Sequence, residues 1–248
     1  MSITVQQVLE EMRRIAPPEL AESWDNVGLL VDAGRPVDAI LTTLDITAPV
    51  VEEAVRLGCS LIVSHHPVIF DPIKRITADD LPALLLKGGV SAICMHTNLD
   101  AAPGGVNDTL AELLGMRDTV PFADGCGRIG TVDATTAKAL AELCEDTLGP
   151  GVRYVEAGRP VLRLAEVSGA GGSYWKEALD LGADCLVTGE ANHHAACDAR
   201  RLGMGLVAAG HWATERPIAG VLAKRLKEAF PDIPVTVSRA DTDPFTYL

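Results

Sequence analysis

Residues 53–66 read EAVRLGCSLIVSHH. A helix-like run ends at Gly58, an apolar and β-branched run follows, and two histidines close it. The apolar residues are continuous rather than alternating, which suits a strand covered on both faces. The pattern returns 124 residues later, where EALDLGADCLVT (177–188) matches EAVRLGCSLIVS (53–64) without a gap. A second pair follows: VSAICMHTNLD (90–100) resembles LVAAGHWATE (206–215), each ending in His, three residues and a carboxylate. Two generic βα units would give some of this likeness. Two similar α/β lobes, an internal pseudo-repeat, account for all of it.

Helix-like and strand-like segments alternate on either side of this stretch. Strands are expected at 37–45, 60–66 and 90–96, and helices at 48–58, 80–89 and 105–115. In the second half, helices are expected at 135–149, 172–182 and 214–230, and strands at 152–158, 161–169, 183–189, 205–211 and 233–239. Thr214 is a candidate N-cap for the last helix, with Pro217 in its first turn. This is the βαβ rhythm of an α/β sheet. The turn-rich FADGCGRIG (122–130) suggests a break, giving a first lobe at 1–123 and a second at 124–248. The C-terminal strand is a candidate to pack on the first lobe.

The 248 residues can bury a sizeable core, and 48% apolar with 22% charged residues is the balance of a soluble globular protein. No apolar run is long enough to cross a bilayer. MSITVQQVLEEMRR lacks the pattern of a signal peptide, so the cytoplasm is the expected location. The six cysteines form no C-x-x-C pair. Neither a disulfide framework nor thiolate-held zinc is expected. A formal charge of −13 disfavours nucleic acid, which is bound through Lys and Arg. A small anionic substrate stays open, because a bound cation inverts the local field.

All six histidines, at 65, 66, 96, 193, 194 and 211, lie just after strand-like runs. In open α/β sheets that end of the strands is where ligands bind. Carboxylates accompany them: Asp100 in HTNLD, Glu190 in TGEANHH, Glu215 in HWATE. Imidazole with carboxylate suits borderline divalent metals such as Zn, Mn, Fe or Ni. Adjacent His65 and His66 point apart if extended, so they serve two ions more easily than one. His211 and Glu215 share a face if helical, and Asp100 is placed to bridge. A lone histidine of this kind is more often a packed core residue; the clustering is what favours a metal site. His65, His66, Asp100, His211 and Glu215 are the favoured ligands. His96, Glu190, His193 and His194 are open between orienting ligands, acid–base work and capping a helix.

ESWDNVGLLVD (22–32), SHHPVIF (64–70), HTNLDAAPGGVND (96–108), TGEANHH (188–194) and GHWATER (210–216) together resemble the NIF-three-like proteins, a family that includes the GTP cyclohydrolase I type 2 homologues. The resemblance spans nearly the whole chain and matches a short form without an inserted domain. It implies a two-lobed α/β protomer, a toroidal hexamer built of dimers, and a dimetal site in the cleft between lobes. The implied ligands are His65, His66, Asp100, His211 and Glu215, with Asp100 bridging. It also implies a dinuclear-metal hydrolase whose small-molecule substrate is a nucleotide, opening the guanine ring of GTP and releasing formate. Glu190 and His96 are then the candidate acid–base groups. A metal-dependent phosphoesterase, or a metal-storing or scaffolding protein without turnover, are the competing expectations. Asp25 and Asn26 are expected either in a capped turn beside a packed Trp24 or at the pocket rim. Gly104 and Gly105, before a helix, are a weak candidate anion site.

Overall fold

Thr4 starts the first helix by a reciprocal cap: its hydroxyl accepts from Gln7 N–H at 3.2 Å, and Gln7 Oε1 accepts from Thr4 N–H at 2.9 Å. The helix, α1 (Val5–Ile15), buries Val5, Val8, Leu9 and Met12, one face at helical spacing. The computed structural model describes residues 3–248. It divides into two units.

The first unit runs to Pro103 and resumes at Ile218–Thr242. After α1 come β1 (Gly28–Val31), β2 (Ile40–Thr43), α2 (Ala48–Arg56), β3 (Leu61–Ser64), α3 (Leu81–Gly88), β4 (Ser91–Cys94) and α4 (Thr97–Ala101). The second unit holds α5 (Val106–Leu113), β5 (Arg117–Phe122), β6 (Gly127–Thr135), α6 (Ala137–Leu148), β7 (Arg153–Val155), β8 (Val161–Val167), α7 (Trp175–Asp180), β9 (Cys185–Thr188), α8 (His193–Arg201), β10 (Gly205–Ala208) and α9 (His211–Glu215). The chain then returns to the first unit through α10 (Pro217–Ala229) and β11 (Val235–Val237).

Each unit has its own sheet, ordered β1-β4-β3-β2-β11 in one and β5-β6-β8-β9-β10-β7 in the other. The pairing repeats. β2, β3 and β4 are parallel neighbours, with β1 antiparallel on β4. β8, β9 and β10 are parallel neighbours, with β7 antiparallel on β10. The run α1-β1-β2-α2-β3-α3-β4-α4 therefore has the same order and pairing as α6-β7-β8-α7-β9-α8-β10-α9. α6 also begins on a threonine cap, Thr136, whose hydroxyl accepts from Ala139 N–H at 3.1 Å. The shared Leu-Gly of the matched stretches has a backbone cause: Gly58 and Gly182 end their helices at φ +71° and +83°, where a side chain is disfavoured.

The units differ at their edges. β11 adds in parallel to β2. In the other unit β5 and β6 form an antiparallel ribbon against β8. That ribbon occupies the turn-rich stretch where a lobe boundary is expected, and the division falls earlier, between Pro103 and Gly104. Leu61, Ile62 and Val63 of β3 and Cys185, Leu186 and Val187 of β9 are fully buried, so both central strands are covered on each face. No helix among the described residues is long and apolar enough to cross a membrane.

Candidate metal centre

The parallel strands of the first unit deliver three imidazoles to one place. β3 ends at Ser64, and the backbone of the two next residues is still pinned to the neighbouring strand's exit. His65 N–H donates to Thr43 O at 3.3 Å and His66 N–H to Leu44 O at 3.0 Å. β4 ends at Cys94, and His96 caps α4. His65, His66 and His96 each bring a donor atom within 4.8 Å of the others'. The His65 and His66 rings are 5.0 Å apart and inclined by only 38°. Strand alternation would separate them. The strand stops one residue earlier, and the bend at 65–66 turns both rings to one side.

Each ring is held through Nδ1. His65 Nδ1 meets Met95 O at 3.0 Å, His66 Nδ1 meets Asp45 Oδ1 at 2.8 Å, and His96 Nδ1 meets Asp25 Oδ1 at 2.8 Å. Such partners fix the tautomer and present Nε2 as donor. His65 Nε2 lies 3.6 Å from Asp100 Oδ1. Asp25 is not at a rim: its carboxylate is inaccessible and also accepts from Thr97 N–H and Oγ1. Burial pushes its pKa up, but the bonds from His96 and Thr97 outweigh that and hold it below the usual carboxylate range.

The second unit carries a histidine–carboxylate pair of its own. α9 places His211 Nε2 3.1 Å from Glu215 Oε2, and Glu190 Oε1 meets His211 Nδ1 at 2.9 Å. Thr214 is not the cap of the last helix. It is buried within α9, its hydroxyl donating to Gly210 O and accepting from Gly169 N–H, because the chain breaks into α9 and α10 at Pro217. Gly169 lies against the pair: a Cβ there would stand 2.1 Å from Glu215 Oε1.

The His193 and His194 expectation narrows to its helix-start alternative, and the Gly104 one finds no support. His193 and His194 stand exposed on the first turn of α8, 5.7 Å ring to ring, and belong to no donor group among the described residues. The Gly104 N–H is given to Asp108 Oδ2 at 2.6 Å, so a residue of α5 itself serves that helix start. Asp45 and Gly169 went unnoticed in the sequence. Asp45 ends the strand-like LTTLD, and its place at a strand exit was the available signal. Three imidazoles with a carboxylate nearby, every Nδ1 engaged, fit a borderline divalent cation.

A two-sheet α/β protein with histidine and carboxylate groups that could hold a metal is thus the class defined. The chain belongs to the Duf34/NIF3 (NGG1p interacting factor 3) family, whose profile matches residues 3–244. A Clostridium acetobutylicum protein named GTP cyclohydrolase 1 type 2 homolog is 31% identical, covering 100% of both chains. The Schizosaccharomyces pombe protein NIF3 homolog is 34% identical over 93% of each. The crystal structure of a Bacillus cereus protein related to NIF3 shares the fold, with TM-score 0.91 at 24% identity, covering 100% of this chain and 99% of that one.

Proposed function

We propose that the chain is a dinuclear-metal-dependent hydrolase, and that His65, His66, Asp100, His211 and Glu215 hold its two divalent ions. The observation that carries this is the convergence of His65, His66 and His96 with every Nδ1 already bonded. Bound divalent ions would supply Lewis acidity and a water of lowered pKa. The chain's residues do the rest. Asp45 and Asp25 keep the His66 and His96 rings in place, and Asp100, 3.6 Å from His65 Nε2, would supply a carboxylate to the ions. Glu190, whose side chain is 59% exposed, and His96 move the proton, at Oε2 and Nε2 respectively.

The reaction we assign is opening of the guanine ring of GTP with release of formate, drawing on the name carried by the Clostridium relative. Metal-loaded protein mixed with GTP should release formate, and Asp100→Ala should lose both metal and activity. Formate release by an Asp100→Ala protein shown to hold no metal would end the assignment. A second reading, metal holding without turnover, draws on one observation: the Glu190 carboxylate is bonded to His211 and so has an orienting role that needs no chemistry. Glu190→Gln separates the two, since a storage protein keeps its metal and its cellular role in that variant.

A further inference from the structure

Trp24 is 59% exposed and Phe70 52% exposed, although large aromatic rings ordinarily contribute their area to a core. They come from distant parts of the sequence and meet at 5.8 Å, inclined by 51°. Each also meets the His96 ring edge-on, at 6.2 Å for Trp24 and 6.3 Å for Phe70. The next two residues after Trp24 fix its turn. Asp25 is bonded to His96 and Thr97, and Asn26 Nδ2 donates to Ile69 O at 2.6 Å, one residue before Phe70. Two exposed rings are therefore anchored to the proposed proton-moving imidazole and to each other.

We infer that Trp24 and Phe70 form a stacking platform for a planar heteroaromatic ring of nucleobase size, holding it against the His65–His66–His96 group. This rests on the metallohydrolase reading and adds the residues that hold the substrate's ring. A flat π-face is what such rings bind, with little regard to the ring's hydrogen-bonding edge. The occupant is a ligand of this site rather than a protein surface, because both rings touch His96, whose ring lies 5.2 Å from His65 and 5.6 Å from His66. Losing one such stack weakens binding by roughly 5- to 150-fold.

The test uses the metal-loaded full chain, with guanosine, GTP and ring-free inorganic triphosphate as probes, read by calorimetry and tryptophan fluorescence. Guanosine and GTP should bind and quench fluorescence. Trp24→Leu should raise both Kd values by about 5- to 150-fold and remove most of the quench. Phe70→Leu should act in the same direction, and Trp24→Phe should restore most of the affinity. Inorganic triphosphate should show no dependence on Trp24, and metal content and sedimentation should be unchanged throughout. The platform is overturned if neither guanosine nor GTP binds or if their Kd ignores both substitutions. It is equally overturned if Trp24→Leu changes the oligomeric state, which would mean that another copy covers the rings. Metal analysis and formate assays run in parallel keep the two ideas apart. Formate release with Trp24-independent Kd ends the platform alone. Trp24-dependent guanosine binding by a chain that holds no metal ends the hydrolase alone.

Discussion

A methyl group at Gly169 would stand 2.1 Å from Glu215 Oε1 and 3.1 Å from His211 Nε2, at a backbone φ of +55°. Gly169→Ala should therefore push the Glu215 carboxylate aside and cut metal content well below that of the parent protein, as elemental analysis would show. Gly220, in α10, offers a control: a Cβ there meets nothing within 4 Å. Gly220→Ala should raise stability by about 0.5–1 kcal/mol in urea titration and leave metal content alone. The carboxylates behind the rings make a second expectation. Asp45→Asn, which loosens the proposed ligand His66, should weaken metal binding by about 10- to 100-fold, measured by chelator competition. The histidines were legible in the sequence because they cluster at strand ends. Gly169 was not, since an atom that must be missing leaves no pattern in one sequence; Asp45 had only its strand exit to mark it, and nothing local to Asp25 says that it stands behind the His96 ring.

At the scale of elements, the repeated helix-glycine-strand unit was readable because burial on both faces forces continuous apolar runs. Ile62, fully buried in β3, shows the energetic weight of that run: Ile62→Ala should cost about 2–5 kcal/mol in denaturant titration. The β5–β6 ribbon was read as a turn-rich break for an equally physical reason. Every β5 residue but Phe122 is exposed, so the segment has no buried alternation to reveal it. Its connection through Ala123 and Asp124 uses positive φ at non-glycine residues, which no composition rule signals. The break at Pro217 was similarly hidden, because α9 and α10 abut and read as one helix.

For the whole molecule, the decisive feature is that the first unit is finished by residues 218–242. Glu53 in α2, itself buried, clamps that return: its Oε2 accepts from Ser238 Oγ at 2.6 Å, Arg239 N–H at 3.0 Å and Ala240 N–H at 3.1 Å. Burial pushes the Glu53 pKa up, but these bonds, with Arg56 nearby, bring it below its ordinary 4.5. A carboxyl depressed by folding stabilises the protein above its unfolded-state value, and that contribution is lost as pH falls through the folded one. Glu53→Gln should thus cost about 1–3 kcal/mol at neutral pH, and the gap from the parent should close as acid titration passes below about 4.5. Urea curves at several pH values would check it.

Because the first unit is discontinuous, its order of assembly during translation is constrained. β2 must wait for β11, whose first residue is Val235, while the first segment ends at Pro103. At about 5–20 residues per second that is a delay of roughly ten seconds, by whose end residues 104–217 have been made while the first unit still has an open sheet edge. A nascent chain stalled before residue 235 should already protect the inserted half from protease and leave the N-terminal half cleavable.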